Sequence, residues 1–184
     1  MGSETEKEPE KATEERIVLR ITDMDPKFKY EISKTPGAEK LMLCFQCGTC
    51  TADCPIARFT DSYRPRKLVR MVQLGLRDRA LSDDSIWLCT TCFACVDHCP
   101  QDVGTAEVVR ALRNLAVKEQ PMPPVYEDLS SSILKTGYAY EIPQLRLRKR
   151  EEQGLPPLPK GDVDSIRKLF KATGFSETLE KEKK

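Results

Sequence analysis

The stretches "CFQCGTCTADCP" (Cys44 to Pro55) and "CTTCFACVDHCP" (Cys89 to Pro100) hold all eight cysteines of the chain. Each reads C-x-x-C-x-x-C-x-x-x-C-P, and adding 45 to Cys44, Cys47, Cys50 and Cys54 lands on Cys89, Cys92, Cys95 and Cys99. Three thiolates at this spacing converge on one corner of a cubane, while the fourth, followed by proline, is carried away from it. In two-cluster bacterial ferredoxins that fourth cysteine ligates the other cluster. The spacing therefore predicts one [4Fe-4S] cluster on Cys44, Cys47, Cys50 and Cys99, and a second on Cys89, Cys92, Cys95 and Cys54. The exchange ties the two halves together.

Structural zinc also favours C-x-x-C pairs, but ribbons use two pairs per ion, and here a third cysteine follows each pair at the same step. Disulfides fit poorly with clustered cysteines in a chain without secretory features. His98 is the sole histidine, and a Rieske centre needs two, so His98 is not expected to be a ligand. Phe45, Ile56, Phe59, Ile86, Leu88, Phe93 and Val96 are expected to form a dry shell around the clusters. Thr49, Thr51, Thr90 and Thr91 read as solvated turn residues, and Trp87 as a core or interface anchor. Arg70 and Arg110 match in the repeat and either face the clusters or lie on an exposed helix face.

The combs belong to a longer repeat. "RPRKLVRMVQLGL" (64–76) predicts a helix with Pro65 in its first turn, Leu68, Met71, Val72 and Leu76 on one face, and Gly75 near its end. "GTAEVVRALRNLAVKEQP" (104–121) predicts another, with Val108, Leu112, Leu115 and Ala116 on one stripe. "KLVRMVQ" (67–73) falls on "EVVRALR" (107–113), which implies a pseudo-two-fold core.

Around this core the composition changes. Residues 1–15 are charged and apolar-poor, as in disordered segments. Residues 16–35, with "RIVLRI" and "KFKYEI" around "TDMDP", read as a β arm. Residues 36–120 form the cluster domain, and 121–184 a C-terminal arm for docking a partner. In that arm "PPVYEDLSSSILKTG" predicts a helix with Val125, Leu129 and Ile133 on one side. "DVDSIRKLFKATG" predicts another between Asp162 and Gly174. "IPQLRLRKREEQGLPPLPKG" between them reads as a surface linker, and "ETLEKEKK" as frayed. The expected fold class is mainly α.

The 184 residues carry 30 basic and 29 acidic side chains, a net charge of +1. Such a balance gives no general attraction to nucleic acid or anionic membrane. The basic run "RLRKR" (146–150) is followed at once by Glu151 and Glu152 and has no interleaved aromatics. No apolar run reaches a membrane-spanning length, and the N-terminus has no secretory core. The chain reads as cytoplasmic and soluble. It contains no GxGxxG, P-loop or GxSxG motif. With every cysteine committed, no iron is left open to a substrate, so no catalytic residue is expected. The remaining role is single-electron transfer, against a zinc-stabilised binding module or a thiol redox sensor.

The paired combs separated by a helix resemble the α-helical ferredoxin family, found in the iron-sulfur subunits of succinate dehydrogenase and fumarate reductase. Within it, Cys44 to Lys118 with short arms is similar to the C subunit of heterodisulfide reductase from methanogenic archaea. The resemblance implies a non-catalytic subunit of an oxidoreductase in methanogenesis. Its partners would be the A and B subunits, the former with flavin and iron-sulfur clusters, the latter with noncubane clusters that reduce the coenzyme M–coenzyme B heterodisulfide. A hydrogenase or formate dehydrogenase would join through the larger complex. The chain lacks the Cys-Cys pair of the disulfide-cleaving CCG motif. Related relay subunits serve succinate/fumarate, glycerol-3-phosphate, glycolate and lactate enzymes.

Overall fold

A computed structural model describes residues 19–159 and 161–181. Ten α-helices run in chain order: α1 (Phe28–Ile32), α2 (Thr49–Ala52), α3 (Pro65–Gln73), α4 (Arg77–Leu81), α5 (Ala94–Asp97), α6 (Thr105–Glu119), α7 (Pro124–Thr136), α8 (Gln144–Glu152), α9 (Val163–Ala172) and α10 (Phe175–Lys181). Short 3-10 helices occupy Ile21–Asp23, Glu39–Leu43 and Asp84–Leu88. There is no strand among the described residues.

The repeat is visible in three dimensions. The 3-10 helix Glu39–Leu43, the first comb, α2 and α3 are matched in order by Asp84–Leu88, the second comb, α5 and α6. The matched helices pack on their copies, α2 on α5 and α3 on α6. Leu68, Val69 and Val72 on α3 meet Val108, Val109 and Leu112 on α6 in one core, all at most 1% exposed. These positions recur at three- and four-residue steps, so each helix presents a continuous apolar stripe to the other. Pro65 opens α3, where the missing N–H costs nothing, and Gly75 at φ 75° closes it.

The β arm is not formed. Residues 16–18 lie outside the described residues, and the segment that follows makes a 3-10 turn and α1. "KFKYEI" fits both periods, and burial decides between them. A strand would put Phe28, Tyr30 and Ile32 on one face, but Phe28 and Ile32 are buried at i and i+4 while Tyr30 is 56% exposed. Residues 1–15, read as disordered, also lie outside the described residues.

The linker reading of 142–161 is corrected as well. Gln144–Glu152 is helical behind Pro143, because Leu, Arg, Lys and Glu are strong helix formers once a proline has set the entry. It buries no residue, so it lies on the surface as expected. Of the C-terminal stretch expected to be frayed, 177–181 is helical, and 182–184 lie outside the described residues. On α7, Val125 is 73% and Leu129 38% exposed while Ile133 is half-buried, so the anticipated apolar side is only partly covered. The inner contacts come from Tyr126, stacked on Trp87 with ring centroids 5.1 Å apart, and from Ser130, which is buried. Asp162 caps α9 by accepting from the Ser165 amide at 3.0 Å. Past Met122 no apolar side chain is buried among the described residues.

Candidate iron-sulfur centre

Both combs coil in the same way. Gln46 (φ 65°) and Thr91 (φ 51°) are repeat mates in the left-handed region, as are Gly48 (φ 92°) and Phe93 (φ 63°). Three of these four are not glycine, and Phe93 is bulky, so the conformation costs energy in each copy. A strain repeated at equivalent positions marks a loop wound around something. Short α2 and α5 then lead to Cys54 and Cys99.

Cys54 of the first comb sits beside three thiols of the second. A small cavity is lined by Cys54, Cys89, Cys92 and Cys95, with Tyr63 and Phe93 beside them. Burial pushes the Cys95 thiol up to about 12, and the thiolates of Cys89, Cys50, Cys92 and Cys54 add to that effect. Burial likewise raises Cys50, against a hydrogen bond with Thr51, and the surrounding thiolates are those of Cys44, Cys47 and Cys99. Cys50 and Cys95 thus resist ionising in the absence of a cation, which is the electrostatic state a positively charged iron core relieves.

Donors reach the sulfurs in both halves. Gln46 Nε2 donates to Cys44 Sγ at 3.4 Å, and the Val103 amide donates to Cys99 Sγ at 3.4 Å. Thr49 Oγ1 lies 3.4 Å from Cys47 Sγ, and this contact lowers the Cys47 thiol. Thr49 is thus a sulfur neighbour and not merely a turn residue. Thr51 accepts from the Arg66 amide at 3.1 Å, whereas Thr91 bonds the Thr90 carbonyl. Burial and a hydrogen bond to Cys89 hold the Tyr63 phenol protonated and raise its pKa. Tyr63 escapes the sequence reading, where its only signal is an isolated aromatic between comb and helix.

The dry shell is only partly formed within this chain. Ile86 is buried and Ile56 packs on the core. Phe45 is 60%, Phe59 91%, Leu88 42% and Phe93 40% exposed, and Val96 is half-buried. The apolar residues near the clusters therefore face outward over much of their area. His98 is 59% exposed and pairs with Asp53. Arg70 and Arg110 lie on an exposed face, with Arg110 paired to Glu107. Trp87 is half-buried between Tyr126 and Arg113.

Eight thiols in two repeated combs, four of them around one cavity and with N–H and O–H groups at the sulfurs, fit two cubane clusters. Residues 40–103 match the family described as "4Fe-4S dicluster domain". This is a protein of the two-cluster [4Fe-4S] class.

Relatives extend the likeness over nearly the whole chain. The C subunit of the H(2):CoB-CoM heterodisulfide,ferredoxin reductase of Methanothermobacter thermautotrophicus is 36% identical over 171 residues, covering 90% of this chain and 91% of the relative. The iron-sulfur C subunit of the CoB--CoM heterodisulfide reductase of Methanopyrus kandleri is 35% identical, covering 88% and 91%. The C subunit of the Ferredoxin:CoB-CoM heterodisulfide reductase of Methanosarcina mazei is 34% identical, covering 80% and 93%. The chain belongs to the family of heterodisulfide reductase C subunits. No helix among the described residues is long and apolar enough to cross a membrane.

Proposed function

We propose that the chain is the electron relay of a heterodisulfide reductase, carrying single electrons from a flavin-bearing subunit to the one that reduces the coenzyme M–coenzyme B heterodisulfide. The observation that carries this is the grouping of Cys54 with Cys89, Cys92 and Cys95 around one cavity. On this reading Cys44, Cys47, Cys50 and Cys99 hold one cluster, and Cys89, Cys92, Cys95 and Cys54 the other. Each cubane, when bound, supplies one reversible electron at a fixed position. The chain's residues hold it there, donate hydrogen bonds to its sulfurs and leave no iron open to a substrate.

The domains follow from this assignment. Residues 36–120 carry the clusters, while 121–184, which bury so little of their own apolar surface, are completed by partner subunits. The outward Phe45, Phe59, Leu88 and Phe93 would be covered in the same assembly. A cytoplasmic complex engaged in methanogenesis, joined to a hydrogenase or formate dehydrogenase, agrees with the archaeal relatives. Against zinc, a third cysteine follows each C-x-x-C pair at the same step, whereas zinc ribbons use two pairs per ion. Anaerobic purification should give close to eight irons and eight sulfides per chain and co-purify the two partner subunits from native extract. Zinc without sulfide would defeat the relay reading.

A further inference from the structure

The two halves differ at one matched pair. Gln73 and Arg113 occupy the same place in the repeat, at the inner end of "KLVRMVQ" and "EVVRALR". Gln73 Nε2 donates to the Cys44 carbonyl at 2.9 Å and the Leu41 carbonyl at 3.4 Å. Arg113 donates from Nη2 to the Cys89 carbonyl at 2.6 Å and from Nε to the Ile86 carbonyl at 2.8 Å. Leu41 and Ile86 are themselves repeat mates, as are Cys44 and Cys89. The same two carbonyls are therefore gripped in each half, by a neutral amide in one and a guanidinium in the other.

The guanidinium is half-buried and packed against Trp87, 5.7 Å from the ring centroid. Its charge is thus poorly screened. On the other side the Arg66 side chain passes over Gly48 but is exposed. Gln46 donates to Cys44 and Tyr63 lines the cavity of Cys89, and the contacts of Thr49 with Cys47 and of the Val103 amide with Cys99 are likewise neutral.

We propose that Arg113 raises the reduction potential of the cluster held by Cys89, Cys92, Cys95 and Cys54 above that of its partner, so that an electron shared by the pair settles on the second comb. The inference rests on the cluster assignment proposed above. Reduction adds one negative charge to a cluster and transfers no atom; the electron leaves one cubane and enters the other. A fixed positive charge at the Cys89 main chain stabilises the reduced form there, and the Gln73 amide offers no equivalent. A unit charge at this range in a half-buried setting biases the partition roughly tenfold, about 59 mV for a one-electron couple.

Dye-mediated redox titration of the anaerobically purified full chain, followed by electron paramagnetic resonance, tests it. Two waves are expected. Arg113→Gln should bring the higher wave down by about the stated amount and leave the lower in place, and Arg113→Lys should restore much of the gap. Gln73→Arg should raise the lower wave, and it serves equally if Arg113→Gln fails to retain its iron. Arg66→Gln should move either wave much less. With full iron and sulfide, unmoved waves in both Arg113→Gln and Gln73→Arg overturn the proposal, as does an Arg66→Gln shift as large as that of Arg113→Gln. Wild-type protein without two clusters would defeat the underlying assignment instead, before any variant is made.

Discussion

Asp53 Oδ2 lies 2.9 Å from His98 Nδ1, and the two residues are repeat mates, each placed one position before the fourth cysteine of its comb. The contact crosses the pseudo-two-fold axis where the segments leading to Cys54 and Cys99 pass each other. His98 is 59% exposed, so the pair is well solvated, and such pairs contribute about 0–1 kcal/mol. His98→Ala should lower stability by no more than that, with less effect in high salt, and leave eight irons per chain. Chemical denaturation at two salt concentrations, with iron analysis, checks both parts.

Gly104 makes a tighter junction. At φ 69° it begins α6, and a Cβ there would stand 1.7 Å from the Gly37 carbonyl oxygen. The second long helix thus starts in direct contact with the turn leading to the first comb. Alanine would add the left-handed penalty and a backbone clash that no side-chain rotation relieves, a loss of about 3 kcal/mol or more. Gly154→Ala is the control, with φ 65° but nothing within 4 Å; its cost should be about 1 kcal/mol. Equal effects in thermal unfolding of the two variants would contradict the packing account.

The repeat and both long helices are legible in the sequence because their signals are local: cysteine spacing, Pro65 and Gly75, and an apolar step of three and four. "KFKYEI" misleads because Phe28, Tyr30 and Ile32 satisfy a two-residue period as well, and only the position of the core leaves Tyr30 outside. The stretch 142–161 resembles a linker since proline and charge dominate it, although Pro143 merely starts the helix Gln144–Glu152. The grip of Gln73 and Arg113 on the comb carbonyls depends on how α3 and α6 sit against the 3-10 turns. The aligned repeat contains the pair but gives no reason to single it out.

Leu112 is fully buried on α6 and Leu129 is 38% exposed on α7. Leu112→Ala should cost about 2–5 kcal/mol, from lost transfer energy and the cavity left between the long helices. Leu129→Ala should stay below about 1 kcal/mol in the isolated chain. If the arm is covered by partner subunits, the order reverses in a different measurement: Leu129→Ala should weaken retention of the partners in a pull-down that Leu112→Ala, where folded, leaves intact. Denaturation curves and pull-downs on the same preparations distinguish the two roles.

Cys54 is 8% exposed and shares its cavity with Cys89, Cys92 and Cys95, not with the comb to which it belongs in sequence. Serine keeps the size and changes the ligand from thiolate to a harder oxygen, so Cys54→Ser should alter or remove the cluster of the second comb while the first keeps its signal. Cys99→Ser should do the converse. If each fourth thiolate joins the two halves as proposed, both variants should also unfold at lower temperature than Cys92→Ser, which loses a ligand but no connection between the combs. Electron paramagnetic resonance of the three reduced variants reads the first claim and thermal melts the second. If Cys54→Ser perturbed the cluster of Cys44, Cys47 and Cys50 alone, each comb would be self-contained. The two copies would then be held together by α3 against α6 without the exchange.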